Sequence, residues 1–482
     1  MAIRPPRSDN GADRRTPGSF RDPSGFVFER DGTLYRQVNR AYQADYDRLV
    51  ASGLARTLID DRLVIPYSEV DEPPSEPESA YKILRPERVP FISYPYEWCF
   101  GQLKAAALLT LTLQKQALTY GMSLKDASAF NVQFIGSRPI FIDSLSFETH
   151  RDGTPWVAYR QFCRNFLAPL ALMSLVDVRL NQLMQPSLEG ISLELASRLL
   201  PWKTRFDPRL LIHLHLHARA EKAYAGQTKP KTKTRAKSKA SPGGSSPAFS
   251  KHALLGLIDS LEGAIKSLRW SPAGTEWADY YSETNYSTGA TGRKVDLVAE
   301  FLDRVRPRTV WDLGANTGRY SRLASERGAS TVAFDVDPAC VERNYRDGLA
   351  RDEQKILPLW LDLTNPSPAL GWAHTERSSL LDRGPVDLSM ALALIHHLAI
   401  SANVPLERIA RFLRSTCQSL IIEFVPKQDS QVQRLLASRA DVFPDYTSDG
   451  FESAFVEHFA IERAEPIIET ERTLYLMRAR PE

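Results

Sequence analysis

Residues 310–321 read VWDLGANTGRYS: an apolar run enters Asp312, Gly314 and Gly318 flank a short turn, and helix-forming residues follow. Glycines there permit positive φ and let a ligand approach the backbone. A dinucleotide loop has the form G-x-G-x-x-G, so that a pyrophosphate meets a helix N-terminus. Here the spacing is D-x-G-x-x-x-G, with Asn316 and Thr317 inside. That suits a nucleoside joined through sulfur to an amino-acid tail better than a diphosphate. About twenty residues later, TVAFDVDP puts Asp335 at a second strand end, where a carboxylate can accept from both ribose hydroxyls. LWLDLTNPSP puts Asp362 at a third, placed to accept from an adenine amino group while the Leu363 amide meets the ring. The fourth strand runs into His396 and His397 (DLSMALALIHHL, 387–398). These are candidate bases or substrate contacts, or one of them only orients its loop. Glu423, ending the fifth strand in IIEFVPK, is a further candidate. Tyr280, Tyr281, Asn285 and Tyr286 (DYYSETNYS) either lid the pocket, contacting substrate, or pack as plain aromatics.

The elements that must position these residues follow from the pattern of apolar runs. Strands are expected at 309–313, 331–335, 356–362, 386–391, 419–424, 461–468 and 472–478, with helices after the first, second, fourth and fifth. Strand–helix alternation followed by two consecutive strands predicts an α/β fold, a Rossmann-like seven-stranded sheet, mainly parallel with an antiparallel hairpin edge. Ligands of such sheets bind at the carboxyl ends of the strands, where the strand order reverses.

With its loops in this order, the stretch 251–482 resembles class I S-adenosylmethionine-dependent methyltransferases. The resemblance implies that S-adenosylmethionine is the cofactor. It also implies that the 312–318 loop (Asp312, Gly314, Asn316, Gly318) passes under the methionine part, Asp335 holds the ribose, and Asp362 with Leu363 faces the adenine. It implies further that the segment after the fourth strand borders the transferring methyl group. The methyl acceptor is not disclosed, nor whether O, N or C is methylated.

The first half carries another signature. In QALTYGMSLKDASAFNVQFIGSRPIFIDSLS (116–146), Asp126 and Asn131 stand as D-x-x-x-x-N, and a hairpin about Gly136 leads to Asp143. Over these thirty or so residues the chain resembles the catalytic lobe of protein kinases and aminoglycoside-type phosphotransferases. That resemblance implies a base, a metal-binding Asn and a metal-binding Asp in that order. The departures are plain: no glycine-rich loop lies upstream, no Lys occurs between Phe26 and Ala51, Arg36 is the nearest substitute, and Ser-Leu follows the final Asp. A degenerate fold, an active phosphotransferase and coincidence all stay open. With YPYEWCF (94–100) and LKDASAFNVQF (124–134) ahead of the methyltransferase half, the whole chain also resembles a bacterial two-part family that includes nodulation-associated methyltransferases. A scaffold with two vestigial folds is the non-enzymatic alternative.

Composition sets the boundaries. Residues 1–24 are rich in Pro, Gly, Arg and Asp and are expected as a disordered tail. Residues 25–226 form a mixed α+β, mostly helical domain, with a hairpin about Asp31-Gly32, a helix at 40–52, a helix at 103–120 and helical periodicity from 156 to 224. Residues 227–250, QTKPKTKTRAKSKASPGGSSPAFS, read as a basic flexible linker, which leaves RNA or acidic lipid open as a contact. The net charge of +3 is uneven: residues from 251 onward carry 27 basic and 33 acidic side chains, so the first half holds the positive excess. His213, His215 and His217 would line one face of a strand, but their surroundings favour a helix, which scatters them, and no metal site is expected. Four scattered cysteines, no signal-peptide core and no apolar run long enough to span a bilayer point to the cytoplasm. Oligomeric state is not legible.

Overall fold

The structure, a computed structural model, describes residues 13–221, 250–272, 287–437 and 440–481. Its second half is built on a seven-stranded sheet of β10 (Thr309–Leu313), β11 (Ser330–Asp335), β12 (Ile356–Trp360), β13 (Val386–Ala391), β14 (Cys417–Phe424), β15 (Phe459–Pro466) and β16 (Thr473–Ala479). All seven lie within two residues of their expected positions. The spatial order is β12-β11-β10-β13-β14-β16-β15. Neighbours from β12 to β14 are parallel, while β16 runs antiparallel to both β14 and β15. The expected hairpin edge is present, with the last strand inserted between β14 and β15. The order reverses beside β10, so the loops after β10 and β13 open onto one crevice.

Alternation along the strands explains the two layers. Val310, Leu388, Met390 and Ile421 face a core closed by Leu297, Val298, Phe301 and Leu302 of the helix Thr288–Val305. Trp311, Leu313, Val332, Phe334 and Leu359 face the other side, whose core continues into the first half. There Phe91 meets the rings of Trp311 and Phe334 edge-on, both at 6.0 Å.

The first half contains a five-stranded antiparallel sheet, β1 (Arg14–Arg15), β2 (Gly25–Arg30), β3 (Thr33–Asn39), β4 (Tyr67–Val70) and β5 (Ala80–Pro86), in the order β1-β2-β3-β5-β4. Two short pairs follow, β6 (Met122–Leu124) with β9 (Phe147–Thr149) and β7 (Val132–Ile135) with β8 (Arg138–Phe141). The turn at Asp31-Gly32 has φ of 49° and 76°, which a right-twisted hairpin needs. Residues 13–24, expected within a disordered tail, are ordered instead. They have partners: Asp13 accepts from Arg30 of β2 (2.6 Å), Arg15 stacks on Phe26, and Arg21 binds Glu376. The β4–β5 pair and the helix Leu54–Asp60 were not anticipated, because acidic and Pro-rich residues interrupt the short apolar patterns around them.

The helix Phe100–Thr119 runs between the halves, buried on most of its circumference. Gln102 caps its start by accepting from Cys99 N–H (3.0 Å) and donates to the Pro358 carbonyl (3.0 Å). Gly101 N–H donates to Glu342 (2.7 Å), and a Cβ at Gly101 would stand 2.8 Å from the Tyr345 ring. Glu97, buried, receives Arg383 through two bonds (2.6 and 2.9 Å) and Ser367 (2.6 Å). The helix Lys251–Ser267, read from sequence with the second half, buries Leu254, Ile258, Leu261 and Ile265 and seats on the first: Lys115 bridges to Asp259 (2.6 Å) and Lys104 donates to the Leu268 carbonyl (2.7 Å). Most of the expected linker lies outside the described residues.

His213, His215 and His217 sit in helical turns and scatter. His213 bonds Tyr159 and Ser260 (both 2.8 Å), His215 bonds Ser197 (2.7 Å) and Thr204 (2.9 Å), and His217 stacks on Tyr159. Burial lowers the pKa of all three. All four cysteines are free and buried, and among the described residues no helix is long and apolar enough to cross a membrane.

Candidate functional site

The turn after β10 is fixed from behind. Gly314 and Ala315 donate to the Phe334 carbonyl (2.9 and 2.8 Å). Gly314, Asn316 and Gly318 all have positive φ (79°, 50° and 80°), and a Cβ at Gly318 would lie 2.4 Å from the Asn344 side chain. Asp312 is buried and accepts from Ser321 Oγ (2.6 Å). Burial pushes its carboxyl up to about 7 against that hydrogen bond. Asp312 and Gly318 therefore hold the loop, while Gly314 and Asn316 present it.

Asp335, at the end of β11, accepts from Asn316 N–H on one oxygen (2.7 Å) and from Asp337 N–H on the other (2.8 Å). Burial raises it to about 6, and these two amides oppose the rise. Asp362 stands exposed after β12, with one oxygen accepting from Thr364 N–H (2.8 Å) and its hydroxyl (2.7 Å). Gly314, Asn316, Asp335, Asp362 and Leu363 line a single cleft of about 380 Å³, within the size range of ligand pockets. Its remaining wall comes from the segment after β13: Leu392, Ala393, Leu394, His397, Leu398, Ser401 and Ala402. That segment was singled out in the sequence for its histidines alone. Its leucines read as core and Ser401 carried no signal, so the apolar wall was missed.

The two histidines separate. His397 lines the cleft, and burial lowers its pKa to about 4. His396 is 2% exposed, burial carries it well below the ordinary range, and its Nδ1 has no hydrogen-bond partner among the described residues. Their rings stand 4.1 Å apart. Glu423 is buried beneath the cleft. It accepts from Lys294 (2.5 Å), Arg472 (3.2 Å) and Ala393 N–H (2.8 Å), and Arg472 continues to Asp429 (2.7 Å). This carboxylate anchors the wall at Ala393, whose φ is 49°. Tyr280, Tyr281, Asn285 and Tyr286 lie outside the described residues.

In the first half, Asp126, Asn131 and Asp143 do approach one another. The Asp126 carboxyl is raised by burial and then by the Asp143 charge. Asp126 accepts from Gln161 (2.8 Å) and Ser128 N–H (2.9 Å). Asp143 is held by Arg36, Ser146 and Leu145 N–H. Burial raises its carboxyl, but these partners, Arg36 foremost, outweigh burial and hold it below the usual range. A guanidinium thus stands where the signature would seat a metal, and no group of three or more His, Cys, Asp or Glu suited to a metal occurs among the described residues.

No protein-family model matches the chain. Among solved structures, it is similar to magnesium protoporphyrin IX methyltransferase from Synechocystis PCC 6803 with bound SAH (18% identity, 42% of this chain and 93% of that one, TM-score 0.30). It is also similar to N-methyltransferase NodS from Bradyrhizobium japonicum WM9 (10%, 41% and 99%, TM-score 0.30). A third match is the bifunctional kinase-methyltransferase WbdD (13%, TM-score 0.30), where the likeness spans 42% of this chain and only 41% of that one. In sequence it is 36% identical over 469 residues to nodulation protein NoeA of Rhizobium meliloti (strain 1021), covering 96% of this chain and 95% of that protein. At that identity over nearly the whole length of both, the chain belongs to the family of the nodulation protein NoeA.

Proposed function

We propose that this protein is an S-adenosylmethionine-dependent methyltransferase acting on an acceptor that its first half selects or presents. The observation that carries the reading is the convergence of Gly314, Asp335 and Asp362, from three successive strand ends, on one cleft. The residues fit the cofactor. Gly314 offers bare backbone at positive φ, Asp335 keeps lone pairs on both oxygens for vicinal hydroxyls, and Leu361 and Leu363 supply apolar walls beside the Asp362 acceptor. S-adenosylmethionine supplies, when bound, a methyl group on a cationic sulfur open to in-line attack. The chain's own part is alignment and exclusion of water, the work of Leu392, Leu394 and Leu398. His397, which burial keeps neutral at physiological pH, can accept a hydrogen bond from an acceptor and orient it as its bond to carbon forms. His396 and Glu423 act as supports. The first half is read as a non-phosphorylating domain, because the Arg36–Asp143 pair takes up the acceptors a metal would need. The site of action is proposed to be the cytoplasm. Isothermal titration with S-adenosylmethionine tests the core of the reading: binding in the micromolar range is expected, and none at millimolar ligand refutes it.

A further inference from the structure

Several large apolar side chains of the first half stand in water on three successive short elements. Trp202 and Phe206, the two ends of a short 3-10 segment, are 72% and 73% exposed. Their rings meet edge to face at 5.3 Å. Leu199, which ends the preceding helix Leu193–Leu199, is also exposed, as are Ile212 and Leu216, one turn apart in the helix that follows. These pieces are held rigidly: buried His215 bonds Ser197 of the first and Thr204 of the second (2.7 and 2.9 Å). Lys203 and Arg205 lie exposed between the two rings in sequence, and the charges of Arg205 and Arg219 both reach His215. Of the acidic residues nearby, Asp207 caps Arg209 and Leu210 and Glu221 pairs with Arg160 (2.6 Å), while Glu194 stands exposed in the first turn of Leu193–Leu199, at the other end of that helix from Leu199. From Lys222 to Ser250 the chain then carries seven basic residues and no acidic one.

Exposed apolar clusters on soluble proteins mark contact surfaces. The centre of a protein–protein contact is depleted of charge. Here cations alternate with exposed rings, which is the composition of a surface that sits at lipid headgroups. Indole and phenyl rings partition to the interfacial layer, while Lys and Arg reach anionic phosphates. We propose that this surface docks the protein peripherally on an anionic lipid bilayer, with Trp202 and Phe206 seated in the headgroup layer and Lys203 and Arg205 on lipid phosphates. The proposal stands apart from methyl transfer.

The test is cosedimentation of the full chain with phosphatidylcholine vesicles, with and without about one third phosphatidylserine. Pelleting with the anionic vesicles alone, weakened by salt, is expected. The W202S/F206S variant should bind roughly tenfold or more weakly with an unchanged melting temperature, since both rings are already exposed. K203E/R205E should lose most of the salt-sensitive part. Three results overturn the proposal: no pelleting with anionic vesicles, equal pelleting of W202S/F206S (the basic stretch then acts alone), or concentration-dependent self-association or RNA capture abolished by W202S/F206S while vesicle binding persists.

Discussion

Replacing Asp335 by Asn separates ligand binding from folding. Each carboxylate oxygen already accepts one backbone N–H, from Asn316 at 2.7 Å and from Asp337 at 2.8 Å. Two ribose hydroxyls would each be a second partner on a charged acceptor, worth about 1.5–3 kcal/mol apiece. In the amide, one oxygen becomes an NH2 that opposes a backbone N–H and offers no acceptor, and the remaining bond loses its charge. The loss is about 3 kcal/mol or more, a Kd raised over a hundredfold. The unliganded fold should change little. Burial raises this carboxyl to about 6, so its charge at pH 7.5 weighs against the folded state relative to the unfolded one, and removing the charge offsets the weakened amide contacts. Isothermal titration with S-adenosylhomocysteine at pH 7.5, beside a thermal melt without ligand, measures both. A folded variant whose Kd stays within about threefold of the parent, under half the free energy of one such bond, would refute the ribose assignment.

The same carboxyl sets a pH dependence. Hydroxyls need the ionised form, so affinity should fall as pH drops through about 6, by roughly tenfold between pH 7.5 and 5; a flat titration over that range counts against it. Glu423→Gln leaves Lys294 and Arg472 buried without their shared anion, and should cost about 3 kcal/mol of stability, read as a lowered chemical-denaturation midpoint. Gly318→Ala forces a Cβ to 2.4 Å from Asn344 at a φ of 80°; a loss of about 2 kcal/mol or more is expected, and an unchanged melting curve would show the turn to be softer than argued. Magnesium with ATP should not raise the melting temperature of the parent protein; a magnesium-dependent shift that Asp143→Ala removes would restore the phosphotransferase reading.

The second half was legible because its strands are long apolar runs bounded by turn chemistry, and because Asp312, Gly314, Asp335 and Asp362 recur at strand ends. What the sequence hid was orientation. Glu423 looked like a base at a strand end, yet two buried cations far along the chain, Lys294 and Arg472, claim it. His396 and His397 are adjacent, and only the turn at Ala393 decides which one meets the cleft. In the first half the hairpins announced themselves through Asp31-Gly32 and Gly136. The four-residue β4 fell below any periodic signal and is held by pairing with β5. Residues 13–24 are held by ion pairs with Glu376 and with Glu29 and Arg30 of β2, partners that local composition cannot reveal.

The buried Glu97–Arg383 bridge has a practical consequence for anyone dividing this protein. The low-complexity stretch at 227–250 invites a cut, but each fragment would then expose half of a shared core and lose its half of the Glu97–Arg383 pair. Separately expressed pieces should aggregate and regain solubility only when coproduced. The polypeptide, two modules on paper, would thus be inherited and engineered as one indivisible body.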